Sequence, residues 1–118
     1  MTSLELTKEI VKLLDRKKAE DLKAIRVKDL TSIGDYFVIA GATSPAHAKA
    51  LSDEVEEKLS ALGIEPRRVE GYNSAVWVLL DYSDVLVHIF TGETRQFYSL
   101  DRLWADGEPV DISGITVE

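Results

Sequence analysis

The sequence predicts a single domain of the α/β class. Two segments repeat apolar residues at helical spacing, and several short runs alternate or are wholly apolar, as strands are. Strand and helix signals also follow one another as strand–helix–strand, an order that implies a right-handed parallel crossover. A chain of 118 residues has room for one modest core.

The first helix starts where Thr2 and Glu5 stand at capping-box spacing. Leu6, Ile10, Leu13 and Leu14 form its apolar stripe. Lys12, Arg16, Lys17 and Lys18 gather toward its C-terminal end, where cations complement the helix dipole. That cluster reads as a solvated face. Ala24 to Lys28 then sets Ile25 and Val27 against Arg26 and Lys28, a strand with one wet face. A loop with Thr31, Ser32 and Gly34 follows. Asp35 to Ala40 is apolar on both faces, so it predicts an interior strand, and the two strands can pair antiparallel.

Gly41 to Ser44 reads as a break. Ser44 is a good N-cap with Pro45 at the first helical position. Ala48, Leu51, Val55, Leu59 and Leu62 keep helical spacing up to Gly63, a stop signal. Asp53, Glu54, Glu56 and Glu57 are expected on the solvated face. Ile64 to Gly71 predicts a short polar strand near a sheet edge. Glu93 to Tyr98 and Leu100 to Trp104 read as a helical turn or two. Gly107 and Pro109 close the domain, expected over residues 1–110, and 111–118 read as a loosely held tail.

Between these lies the most informative stretch, AVWVLLDYSDVLVHIF at 75–90, a β-hairpin. A two-residue turn at Tyr82 and Ser83 would oppose Trp77 to His88 and Leu79 to Leu86. Alternation puts Val76, Val78, Leu80, Val85, Val87 and Ile89 on one wholly aliphatic core face. Trp77, Leu79, Leu86, His88 and Phe90 take the other, with Asp81 and Asp84 at its end. Slipping by one residue would mix the two sets. The second face has two readings. Phe97, Tyr98 and Trp104 can cover it as core, or it can dock a protein, since aromatic residues concentrate at interface hot spots.

Composition narrows the function. There are 21 acids against 14 bases, a formal charge of −7, which disfavours binding to phosphate backbones and favours a basic protein partner, with plain solubility charge as the alternative reading. No cysteine is present, so thiolate chemistry and thiolate metal sites are absent. No run approaches a membrane span, and no signal peptide is evident. His47 and His88 have no second ligand at metal spacing. A nucleotidyltransferase-like enzyme handling nucleotides is the alternative. It needs a Gly-Ser phosphate loop and paired carboxylates on one side. Gly41 and Ser44 are instead separated by two residues, and Asp81 and Asp84 flank a turn.

DYFVIAGATS (35–44), EGYNSAVWVLLDYSDVLVHIF (70–90), ETRQFY (93–98) and LW (103–104) resemble the Iojap-like ribosomal silencing factors. Order and spacing hold over residues 3–110. The resemblance implies a mixed sheet of about five strands with flanking helices, nucleotidyltransferase-like in outline without its catalytic residues. It implies a non-enzymatic, cytoplasmic translation repressor with no cofactor. Such a factor binds the large ribosomal subunit through its fourteenth large-subunit protein, with little direct rRNA contact, and blocks subunit joining when nutrients are scarce. It also implies a possible homodimer when free. Carried over by position, Trp77, Asp81, Tyr82, Asp84 and His88 match the hairpin signature, and Glu93, Arg95, Phe97 and Tyr98 the segment after it. The expected partner surface is Trp77, Leu79, Asp81, Tyr82, Asp84, His88, Arg95 and Tyr98. Ser83 stands where the family usually has Gly, and GATSPAHAKA (41–50) matches only loosely.

Overall fold

The Thr2 cap forms as its spacing predicts. Thr2 Oγ1 accepts from the Glu5 amide at 3.1 Å, and the Glu5 carboxylate accepts from the Thr2 amide at 2.8 Å. In this computed structural model, which describes residues 1–30, 32, 34–92 and 106–115, that box opens α1 (Ser3–Arg16). There follow β1 (Glu20–Arg26), β2 (Tyr36–Ala42), α2 (Pro45–Ser60), β3 (Arg68–Glu70), β4 (Trp77–Asp81), β5 (Val85–Thr91) and β6 (Glu108–Pro109). The sheet order is β3-β4-β5-β2-β1-β6. Among the described residues only β2 and β5 pair in parallel, and they hold the centre. The other four pairings are antiparallel, so the sheet is mixed. The expected mixed sheet of about five strands is the one observed, with six strands among the described residues because Glu108–Pro109 adds a two-residue edge strand to β1.

α1 and α2 pack on one side of the sheet. Leu6, Ile10, Val11, Leu13 and Leu14 of α1 meet Ala48, Leu51, Val55 and Leu59 of α2 over Val38, Ala40, Val78, Leu80, Val85, Val87 and Ile89. Each Leu or Ile buried here contributes about 2 kcal/mol by removal of apolar area from water. Ser44 caps α2, its Oγ accepting from the His47 amide at 3.1 Å. Gly63 takes φ +81° just past the helix, and the Ile64 amide closes the end onto the Leu59 carbonyl at 2.9 Å.

Several local expectations need correction. β1 starts at Glu20 rather than Ala24, and β2 runs through Gly41 to Ala42 instead of ending at Ala40. Parallel pairing with β5 as far as Thr91 sustains that extension. The third strand shrinks to three residues. Leu62 lies beyond the last helical turn and is exposed, whereas Glu54, expected on the wet face of α2, is buried. Val76 is exposed rather than core, because Ala75 takes a left-handed φ of +55° and the strand begins only at Trp77. The helical turns expected within residues 93–104 lie outside the described residues. In the segment expected to trail, Ile112 and Ile115 pack partly against the core.

The hairpin keeps its two faces but not its expected register. Trp77 pairs with Phe90, Leu79 with His88 and Asp81 with Leu86, two residues along from the expected pairing. A slip of two preserves every side chain's face, which is why the alternation was legible and the register was not. The turn forms at Ser83 and Asp84, with the Tyr82 amide donating to the Val85 carbonyl at 3.0 Å and the Asp84 amide to the Tyr82 carbonyl at 2.9 Å. Ser83 sits at φ +70°, held by its amide's bond to Asp81 Oδ1 at 2.8 Å. A left-handed non-glycine residue carries a steric cost of about 1–2 kcal/mol. Ser83→Gly removes that cost and adds about 0.5–1 kcal/mol of unfolded-chain entropy. It is expected to stabilise the domain by roughly 0.5–1 kcal/mol, and urea melts of the two proteins measure the difference.

Candidate functional site

On the side of the sheet away from α1 and α2, Ile25, Val27, Phe37, Ile39, Leu86 and Phe90 form a second buried cluster, and Trp77 and Leu79 pack against it while keeping part of their surface open. Neither α1 nor α2 contributes to this cluster. Alternation within β4 and β5 delivers Trp77, Leu79, Leu86, His88 and Phe90 to this side together. The Trp77 ring stacks on Phe90 with centroids 5.2 Å apart. His88 lies 4.7 Å from the Phe37 ring and 5.8 Å from Trp77.

One hydrogen bond orders this aromatic group. Trp77 Nε1–H donates to His88 Nδ1 at 3.1 Å. Because Nδ1 accepts, the neutral imidazole carries its proton on Nε2. That Nε2 is buried and has no hydrogen-bond partner among the described residues. Burial holds the His88 pKa down, to about 4, since an imidazolium would have to give up its hydration.

Asp81 is buried at 1% exposure and is used within the chain. Its Oδ2 lies 3.2 Å from Arg67 Nη2 and 3.2 Å from Arg68 Nε. The β3–β4 register sets Arg68 directly opposite Asp81, and the Arg67 amide donates to the Asp81 carbonyl at 2.6 Å. Sequence reasoning gave Arg67 and Arg68 no role. Two adjacent arginines on a short edge strand, next to a hairpin ending in aspartates, were the available signal. Asp84 is exposed at the turn, and its carbonyl accepts from the Asp35 and Tyr36 amides at 2.7 and 3.1 Å.

Tyr82 belongs to the helix-side core, on the opposite side of the sheet from Trp77. Its hydroxyl is buried without a partner among the described residues, and burial raises its pKa. Arg95 and Tyr98 lie outside the described residues, as do Phe97 and Trp104, which the core reading put over this face. The structure therefore brings Trp77, Leu79 and His88 together, places Asp81 and Asp84 at one end, and puts Tyr82 behind the sheet.

His47 is structural. Its Nδ1 accepts from the Thr43 amide at 3.0 Å, and its Nε2 bonds the Lys17 carbonyl at 2.8 Å, tying the end of α1 to the start of α2. Among the described residues no group of three or more His, Asp or Glu is placed to hold a metal ion. No described helix is long and apolar enough to cross a membrane.

The family model described as "Ribosomal silencing factor during starvation", RsfS, matches residues 1–118. The chain belongs to the RsfS family. It is 37% identical over 115 residues to the ribosomal silencing factor RsfS of Halalkalibacterium halodurans, covering 98% of each chain. A crystal structure of a Chromobacterium violaceum protein superposes with a TM-score of 0.85 at 30% identity, covering 99% of this chain and 98% of that one. A mouse protein named "Mitochondrial assembly of ribosomal large subunit protein 1" is 30% identical over 98 residues, spanning 80% of this chain and 43% of its own length. The RsfS relatives are named for silencing, a regulatory rather than enzymatic role. The mixed α/β fold expected from the resemblance is the fold observed, and the Trp77 side of the sheet is the one that α1 and α2 do not cover.

Proposed function

We propose that this chain binds the large ribosomal subunit through its fourteenth large-subunit protein and keeps the small subunit from joining. The observation that carries the reading is the partly open Trp77–Leu79 pair on the side of the sheet opposite α1 and α2. Large aromatic residues set in a firm apolar surround make strong anchors. The charge of −7 suits a basic ribosomal protein better than rRNA phosphates. Exposed Asp84 is the carboxylate at this end that remains open to a partner's Lys or Arg, since Asp81 is already paired with Arg67 and Arg68. The mechanism is steric: one occupied surface of the large subunit excludes the other subunit. In this reading the protein works in the cytoplasm and is a homodimer when free.

The commitment of Asp81 to two arginines also speaks against metal-dependent nucleotide chemistry, because its carboxylate would have to leave both ion pairs to bind metal. Ser44 Oγ, the candidate phosphate-loop hydroxyl, is taken up in capping α2.

Co-sedimentation tests the proposal. Wild type is expected to travel with isolated large subunits and not with joined ribosomes. Trp77→Ala is expected to weaken that association by roughly 30-fold or more, with the circular dichroism spectrum unchanged. A folded Trp77→Ala protein that still pellets with large subunits removes the docking assignment.

A further inference from the structure

We propose that His88 is a positioning residue, which holds the Trp77 indole in its docking orientation through Nδ1 and itself makes no contact with the partner. The inference rests on the docking reading above and deepens it.

Three observations converge. His88 is only 4% exposed, so a partner cannot reach it across the face. The imidazole's one hydrogen bond among the described residues is accepted from Trp77 Nε1–H at 3.1 Å. That bond dictates the tautomer, and the tautomer leaves Nε2–H buried with no acceptor among the described residues. An unmatched buried donor lowers stability, and an apolar side chain of similar volume would avoid the loss.

The geometry shows what the imidazole does instead. Trp77 is on β4 and His88 on the neighbouring strand, diagonal to it, since Trp77 pairs with Phe90 and Leu79 with His88. Phe90 stacks against the Trp77 ring and limits its tilt. Stacking alone tolerates a half-turn of the indole about Cβ–Cγ, which exchanges its two edges, whereas a hydrogen bond at Nε1 sets which edge points inward. The His88 bond therefore chooses which indole edge is presented outward. A hot-spot side chain held in one rotamer loses less entropy on docking. His88 thus trades folding stability for a pre-set anchor.

The trade has a distinctive signature in two substitutions. Leu fills the imidazole volume but offers no acceptor. Asn offers an amide oxygen near the place of Nδ1 but fills the site less well. His88→Leu is expected to unfold at a higher urea concentration than His88→Asn, yet to bind large subunits about tenfold more weakly than wild type. His88→Asn is expected to keep most of the binding. A merely structural role predicts that binding follows stability, with Leu the better binder, and that result overturns the proposal. In a Trp77→Phe background, which lacks the indole N–H, the two His88 variants are expected to bind alike. A difference of the original size there also overturns it.

Wild type alone supplies a test that needs no folded variant. Long-range proton–nitrogen spectra are expected to show an unprotonated Nδ1 in His88 at neutral pH, and a protonated Nδ1 refutes the assignment. Trp77→Ala separates the two levels. If that folded variant still binds large subunits, the docking reading fails. If it loses binding while His88→Leu binds as wild type does, only the positioning role fails.

Discussion

Gly71→Ala is expected to lower stability by about 3–4 kcal/mol. Gly71 sits at φ +77° in the turn that leads into β4, where its carbonyl accepts from the Ala75 amide at 2.9 Å. A left-handed φ alone costs an alanine about 1 kcal/mol. The larger part comes from contact: a Cβ built there overlaps the Trp77 carbonyl oxygen. That oxygen belongs to the backbone of a paired strand and cannot swing aside as a flexible side chain could. Relief requires moving the start of β4, and with it the Trp77–Phe90 pair. Gly63→Ala is the matched control. Gly63 has a similar φ of +81°, but nothing lies within 4 Å of its added Cβ, so only the conformational cost of about 1 kcal/mol remains. Thermal melts are expected to separate the two by roughly 10 °C. Equal losses would mean that the turn relaxes freely and that β4 is not held at its entry. Gly71→Ala should also weaken large-subunit binding, because the backbone it displaces is the one that carries the proposed anchor.

The second large effect is a loss of stability in mild acid. The His88 pKa is held down to about 4 by burial, while an unfolded histidine titrates near 6.5. Between these values the unfolded chain binds a proton that the native state refuses, so acid favours unfolding. The contribution is complete above about pH 6.5 and is lost as the pH falls through 4, with a total of up to about 3 kcal/mol. Among the described residues, the groups facing His88 offer the imidazolium no relief. Ile39 and Phe37 on β2, Trp77 and Leu79 on β4, and Phe90 on its own strand are all uncharged. His88→Leu removes the titration. Urea unfolding at pH 7, 6, 5 and 4 is expected to show wild type losing stability relative to this variant by roughly 3 kcal/mol across the window. Parallel curves would mean that His88 titrates alike in both states, and thus that it is hydrated in the fold. The carboxylates titrating near pH 4 are common to both proteins and cancel in the comparison.

Legibility in this chain followed the range of the interactions. The Thr2–Glu5 box, the Ser44 cap, the Gly63 stop and the apolar stripe from Leu6 to Leu14 could all be read from spacing, and all formed. Each depends on residues a few positions apart. The errors lay at boundaries where a neighbour decides. Ala42 stays in β2 because β5 continues beside it, and Glu108–Pro109 is a strand because β1 leaves an edge to pair with. Glu54 was misread as solvated because helical spacing marks a stripe but not how far other elements wrap around it.

For the candidate site, the sequence by itself determined which side chains share a face. Trp77, Leu79, Leu86, His88 and Phe90 alternate along two strands, and a strand's period of two holds whatever it pairs with. Resemblance to the silencing factors adds the expectation that Trp77, Leu79 and His88 of this face belong to a docking surface. Tertiary structure alone decided who meets whom. The turn moved to Ser83–Asp84 because an Asx bond from Asp81 and a left-handed serine closed it there, and that set Trp77 diagonal to His88. The β3–β4 register brought Arg68 opposite Asp81 and consumed the carboxylate expected to face a partner. Burial and a single indole bond then chose the His88 tautomer. Parity is a property of one strand, whereas register, ion pairing and protonation are properties of two chain segments meeting, so alternation could foretell the face but not the contacts made on it.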